Sequence, residues 1–113
     1  GLTGAGVKIG IIDTGLDYTH PAFGSCFKTS GCRVAYGRDL VGDNYDGVLN
    51  PHRVPDNDPQ DTCIGHGTHV SGIMAGKDGV FEGVAPKATL GIYRVFGCLS
   101  NDVGEDVIIL AML

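Results

Sequence analysis

Short apolar runs separated by glycine- and proline-rich polar stretches predict a chain of alternating strands and helices. Residues 7–13 (V-K-I-G-I-I-D) are β-branched and apolar between glycines, which predicts a buried strand. Residues 33–41 predict a second strand, and residues 89–96 (T-L-G-I-Y-R-V-F) predict a third. The near-continuous hydrophobicity of the first run favours a parallel sheet that is covered on both faces.

Two other apolar runs predict helices. In residues 66–75, Val70, Ile73 and Met74 follow His66 by four, seven and eight positions, which predicts a helix that buries these three side chains. Residues 105–113 predict the start of another helix, and residues 18–23 predict a turn or short helical piece interrupted by Pro21. Strands that alternate with helices in this order predict an α/β fold.

Composition and charge narrow the function classes. With 113 residues, 42% hydrophobic and 19% charged, the chain is typical of one globular domain or a piece of a larger one. The net charge of −5, with scattered Lys and Arg, argues against a nucleic-acid partner. No apolar run approaches the roughly 18 residues of a membrane span, so we expect no membrane partner. The start at Gly1 and the end within an apolar run at Leu113 suggest an excised segment.

An even number of cysteines without a C-x-x-C pair favours disulfides in a secreted protein over a metal site. Pairing Cys26 with Cys32 would close a short loop, and pairing Cys63 with Cys98 would tie the approach to His66 to the end of the third strand. This pairing is the preferred one of the three that four cysteines allow.

Residues 42–61 predict a long loop that is rich in proline and acidic side chains. We interpret it as a solvated acidic loop, with a calcium site as the alternative. Its acidic residues are Asp43, Asp46, Asp56, Asp58 and Asp61.

His66 is a candidate proton-transfer base. It lies between two glycines at the predicted start of a helix, where the helix dipole disfavours the imidazolium and keeps the ring neutral. Asp13 ends the first strand, and its carboxylate could fix the imidazole tautomer by accepting a hydrogen bond from one ring nitrogen. The alternatives are a capping or core histidine and a turn-forming aspartate.

Three ordered motifs resemble those of the subtilisin-like serine proteases. Residues 11–17 (I-I-D-T-G-L-D) with His20 and Pro21 resemble the family's aspartate motif, and residues 65–72 (G-H-G-T-H-V-S-G) resemble its histidine motif. Residues 83–88 (G-V-A-P-K-A) and 93–97 (Y-R-V-F-G) resemble the landmark and substrate-side strand that follow. The resemblance implies that residues 1–113 are part of a subtilase catalytic domain with a parallel-sheet, three-layer fold, here truncated. The cysteine-bearing loops are most like those of secreted fungal or bacterial members.

The resemblance also implies residue roles. Asp13 would orient His66, and His66 would activate a serine and then protonate the leaving amine. Leu99, Ser100 and Asn101 would flank the cleft and bind an extended polypeptide substrate. Asp17 matches a position that binds structural calcium in some relatives. The loop between Gly76 and Gly83 is shorter than the family's calcium-binding loop, so we expect neither a metal nor another cofactor.

The chain departs from the family at the nucleophile. The family's Gly-Thr-Ser-Met-Ala motif is absent, as is the asparagine that completes its oxyanion hole. We therefore expect a serine endopeptidase that is inactive as this chain alone and whose partner is the serine-bearing remainder of the catalytic domain. One alternative is a non-catalytic fragment or a pseudoenzyme that serves as a binding module. Another is a dimeric aspartic protease that uses Asp13-Thr14-Gly15.

Overall fold

The computed structural model describes residues 1–99 and 101–113, and its strands and α-helices match the predicted ones within two residues at each end. A 3₁₀ turn at Pro21–Phe23 lies between the first two strands. The strands are β1 (Lys8–Asp13), β2 (Val34–Asp39) and β3 (Thr89–Arg94), and the helices are α1 (His66–Ala75) and α2 (Glu105–Met112).

The three strands form a parallel sheet in the order β1-β3-β2, which confirms the predicted α/β class. In the register of this sheet Asp13 lies beside Arg94, and Arg94 lies beside Asp39. Three charged residues therefore end three neighbouring strands at the carboxyl edge, where open α/β sheets build their sites.

The main core lies between the sheet and α1. It is formed by buried side chains of β1, β2, β3 and α1 and of the segments that join them. These are Ile11, Leu16, Phe23, Val34, Ala75, Ala88, Leu90 and Ile92.

A second cluster lies beyond the carboxyl edge and fixes α2. Val107 of α2 packs there with Tyr45 and Val95, together with Leu40 and Val41. Among the described residues, no helix has the length and apolar character that crossing a membrane requires.

The prediction that both sheet faces are covered is wrong for the described residues. Side chains of β1 alternate, so Ile11 is buried while Ile12 is 36% exposed. On the same open face Tyr36 is 46% exposed and packs under the ammonium group of Lys8, 5.3 Å from the ring centre. The apolar run of β1 therefore has side chains on two faces of the sheet, and the described residues cover only one of these faces.

The prediction that Val70, Ile73 and Met74 form the buried face of α1 is also wrong. The buried positions are Gly67, Ser71 and Ala75, whereas Ile73 is 52% exposed and Val70 and Met74 are only partly buried. The small residues let the helix backbone approach the sheet closely. Ile73 lies on an exposed side of the helix, while Met74 packs against the main core although it is only partly buried.

Replacing a buried side chain of the central strand should destabilise the fold strongly. Ile92 has no exposed surface, so Ile92→Ala should lower the free energy of unfolding by about 2–5 kcal/mol. Ile92→Val, which removes one methylene group, should lower it by about 0.5–1.5 kcal/mol. Denaturant unfolding measures both, and equal losses for the two variants would contradict this packing.

Candidate active site

Asp13 and His66 form the centre of the site. Nδ1 of His66 lies 2.8 Å from Oδ1 and 3.0 Å from Oδ2 of Asp13. The Asp13 side chain is 14% exposed and the His66 side chain is 64% exposed, so the pair is sheltered on the carboxylate side and open on the ring side. A histidine with Nδ1–H donated to a carboxylate leaves Nε2 free to accept a proton.

The two glycines beside His66 have different physical roles. Gly65 precedes the helix with φ +90°, a conformation that favours glycine, and an added Cβ there would meet no atom within 4 Å. At Gly67 the constraint is space, since an added Cβ would overlap the carbonyl oxygen of Gly15. The backbone of α1 therefore touches the turn after β1, one residue from His66.

Hydrogen bonds join the same two segments. The amide of Gly67 donates to Oγ1 of Thr14 at 2.8 Å, and the amide of Asp17 donates to Oγ1 of Thr68 at 2.8 Å. Each bond links the turn after β1 to the first turn of α1. Both bonds hold the first turn of α1 against this turn, and only the first involves Thr14, the residue next to Asp13.

Asp61 differs from the other acidic residues of its loop, because it is buried at 3% exposure rather than solvated. Its Oδ1 accepts the amides of Cys63 and Ile64, each at 2.9 Å. Its Oδ2 accepts the amide of Gly65 at 2.7 Å and the hydroxyl of Thr14 at 2.9 Å.

These bonds decide the charge state of Asp61. Burial raises the pKa of the Asp61 carboxyl, but the amides of Ile64, Gly65 and Cys63 and the hydroxyl of Thr14 together hold it below its usual value. The sequence pattern alone places Asp61 among the solvated acids of its loop, with no role at the site. The available signal was an aspartate just before the loop that enters a helix, a position where a carboxylate accepts amides two and three residues onward.

Arg94 organises the carboxyl edge of the sheet. Its guanidinium is 3% exposed, and Nη1 donates to Asp39 and to Asp43, each at 2.7 Å. Burial lowers the pKa of Arg94, but the two carboxylates outweigh this and raise it, so the group stays charged. Sequence reasoning gave Arg94 no role, because nothing local to a strand shows that its partner ends the neighbouring one.

Both preferred disulfides are confirmed. Cys26 bonds to Cys32, and Cys63 bonds to Cys98 with 5.6 Å between their Cα atoms. The second bridge joins the loop that enters α1 to the segment after β3. Its sulfurs lie near Asp43, but because they are bonded to each other they do not offer a metal two thiolates.

A cleft of about 440 Å³ opens beside the Asp13–His66 pair, and Asn101 is the predicted substrate-binding residue that lines it. Leu99 is 69% exposed and does not line this cleft, and Ser100 lies outside the described residues. Among the described residues, the lining is Asp13, Thr14, Ile64, His66, Phe96 and Asn101.

The close approach at Gly67 predicts a specific sensitivity. Gly67→Ala should lower the free energy of unfolding by about 1–3 kcal/mol, because the added Cβ forces α1 away from the Gly15 carbonyl. Gly72→Ala in the same helix should be neutral or raise stability by about 0.5–1 kcal/mol, since its Cβ would have only Phe23 at 3.9 Å. Denaturant unfolding compares the two variants, and a Gly67→Ala variant as stable as Gly72→Ala would contradict the close contact at Gly67.

The lowered pKa of Asp61 predicts how stability depends on pH. The carboxylate contributes stability above the ordinary pKa of 3.8, and this contribution is lost as the pH falls through the lower pKa of the folded state. Asp61→Asn should therefore cost about 1–3 kcal/mol at neutral pH. The difference from the unsubstituted protein should shrink below pH 3.8. A difference that stays constant to the lowest pH would contradict the assignment.

Comparisons with known proteins place this geometry in a family. The sequence profile of the subtilase family matches residues 4–112. The minor extracellular protease Vpr of Bacillus subtilis is 43% identical over 108 residues, which are 96% of this chain and 12% of that protein. The extracellular serine proteinase of a Thermus species is 35% identical over 106 residues, 94% of this chain and 20% of that protein. Relatives named as intracellular occur as well.

The fold has solved counterparts. The CspB protease of Clostridium perfringens superposes with a TM-score of 0.72 at 27% identity, over 98% of this chain and 25% of that one. This chain thus spans between about an eighth and a quarter of the proteins it is compared with here. The profile covers nearly every residue, and the fold agrees with it. The chain belongs to the subtilase family.

Proposed function

We propose that this chain supplies the aspartate and the histidine of a serine endopeptidase. The observation that carries the proposal is the contact of His66 Nδ1 with both carboxylate oxygens of Asp13 beside an open cleft. A carboxylate sheltered behind an exposed imidazole is the arrangement that turns a neutral histidine into a general base.

The chemistry follows from the two nitrogens of the ring. With Nδ1–H donated to Asp13, Nε2 accepts the proton of a serine hydroxyl as that oxygen attacks the substrate carbonyl. The Asp13 carboxylate stabilises the imidazolium that forms. The same proton then passes from Nε2 to the leaving amine, and a water molecule repeats the cycle to release the acyl group.

The nucleophile belongs to another part of the protein in this proposal. None of the serines in the chain lies in a Gly-Thr-Ser motif, and Ser71 in α1 is fully buried, so it cannot attack a substrate. The small fraction of each relative that this chain spans supports a serine-bearing remainder of the catalytic domain as its partner. Residues 1–113 would then be a partial catalytic domain, inactive alone.

The substrate in this proposal is a polypeptide in extended conformation. Its backbone would follow the segment after β3, where Leu99, Ser100 and Asn101 would bind it. Support comes from Phe96 and Asn101, which lie in or after this segment and line the cleft together with Ile64. We also propose that the protein is secreted, because two disulfides form in oxidising compartments and several relatives are named extracellular.

The aspartic protease alternative does not fit this site. That mechanism needs a carboxylate that shares a proton with a second carboxylate across the site. Here Asp13 faces an imidazole instead, and the chain belongs to the subtilase family.

Removing either member of the pair tests the proposal in the intact protein. Asp13→Asn should lower kcat by about 10⁴-fold, because the imidazole loses the acceptor that fixes its tautomer, and His66→Ala should lower kcat by a similar factor. His69→Ala removes an exposed imidazole from the same helix and should leave kcat nearly unchanged. Hydrolysis of a chromogenic peptide measures all three, and an active His66→Ala enzyme would refute the proposal.

The location of the nucleophile can be tested in the same preparation. A serine-directed fluorophosphonate should label the intact protein at a serine outside residues 1–113 and should abolish peptide hydrolysis. The chain of residues 1–113 alone should show neither labelling nor inhibitor-sensitive hydrolysis. Labelling within this chain would contradict the proposed division of the triad.

A further inference from the structure

Asp61 and Thr14 connect the two halves of the Asp13–His66 pair. The hydroxyl of Thr14 donates to Oδ2 of Asp61 at 2.9 Å, and the same oxygen accepts the amide of Gly65 at 2.7 Å. Thr14 Oγ1 in turn accepts the amide of Gly67 at 2.8 Å. The buried carboxylate of Asp61 thus holds Thr14, the residue after Asp13. It also holds both glycines that flank His66, Gly65 directly and Gly67 through Thr14.

Thr14 also contacts Asp13 itself. Its amide donates to Oδ1 of Asp13 at 2.6 Å, and this is the oxygen that lies 2.8 Å from Nδ1 of His66. Thr14 therefore holds the carboxylate with its backbone while its side chain holds the start of α1. A displacement of Thr14 would change the Asp13–His66 distance from both ends.

The direction of these bonds requires a carboxylate at position 61. A hydroxyl has one proton, and because an ionised carboxylate only accepts, the proton of Thr14 must point at Asp61. This leaves a lone pair of Thr14 for the amide of Gly67. Each oxygen of Asp61 accepts at least one backbone N–H group. With asparagine at position 61, either orientation of the side-chain amide would place its NH₂ group against one of these donors, which would lose its acceptor.

We infer that Asp61, acting through the hydroxyl of Thr14, is a positioning residue for the Asp13–His66 pair. The inference rests on the proposed function. Asp61 is 3% exposed, so its carboxylate does not reach the cleft and acts only through the groups it accepts. The carboxylate fixes the Thr14 rotamer and the Gly65 amide, and these fix where His66 enters the cleft relative to Asp13.

The test uses the full-length enzyme with matched variants of two threonines. Thr14→Val removes the hydroxyl at nearly constant shape and should lower kcat by about 10–100-fold with little change in KM, the effect expected of a small misplacement of reacting groups. Thr14→Ser keeps the hydroxyl and should retain most of kcat. Asp61→Asn should resemble Thr14→Val.

Thr68→Val is the comparison for structural loss alone. Like Thr14→Val, it removes one hydrogen bond between the turn after β1 and α1, but that bond does not involve Asp61 or Asp13. It should leave kcat within a few-fold of the unsubstituted enzyme at a similar loss in Tm. Proton NMR adds a direct readout, since the downfield signal of the His66 Nδ1–H should shift or broaden in Thr14→Val and not in Thr68→Val.

The outcomes separate this inference from the proposed function. If His66→Ala remains active, the proposed function is wrong and the inference falls with it. If His66→Ala is inactive while Thr14→Val keeps kcat, or Thr68→Val loses as much as Thr14→Val, only the inference is overturned. Should Thr14→Val not fold, Thr14→Cys takes its place. The weaker S–H donor should then give a kcat below that of Thr14→Ser, and equal values would overturn the inference.

Discussion

The contact between the Gly67 backbone and the Gly15 carbonyl determines the geometry of the site. It sets both the distance and the rotation of α1 relative to β1. Each residue turns a helix by about 100°, so a helix rotated by a single position would point the His66 ring away from Asp13. In such a helix the imidazole could not reach the carboxylate, and the 2.8 Å contact between Nδ1 and Asp13 would be lost. The absence of a side chain at Gly67 is therefore what allows the side chains of Asp13 and His66 to meet.

At the carboxyl edge of the sheet, the cation of Arg94 is paired with other carboxylates, which leaves the carboxylate of Asp13 to bind His66. Arg94 lies between Asp13 and Asp39 in the register of the strands, and a buried guanidinium must find acceptors. Its Nη1 donates to Asp39 and Asp43, on the side away from β1. The cation is thus matched by carboxylates that take no part in the proposed chemistry, while both oxygens of Asp13 face His66.

Sequence reasoning predicted the features that depend on local pattern. Strand and helix bounds followed from apolar periodicity and glycine breaks, whereas the pairing of Cys63 with Cys98 was a preference among three combinations that the structure confirms. Asp61 was missed because its importance arises only when the chain closes around it, and in sequence it is one acid among several. The exposed position of Ile73 was missed for a related reason, since periodicity identifies faces of a helix but not which face the sheet can accommodate.

The exposure of Asp13 and His66 suits the proposed function, because the pair is already formed without the proposed nucleophile. Asp13 is sheltered, so its hydrogen bond to His66 forms where water competes little, and the amide of Thr14 holds the same carboxylate oxygen. The ring of His66 is open on its other side. In the proposed enzyme a serine needs only to approach that open side, because the tautomer is already fixed and no rearrangement of Asp13 or α1 is required. Catalytic electrostatics gain most from groups that are in place before charge develops. In this site the buried carboxylate of Asp61 and the glycine contact of α1 keep the groups in place.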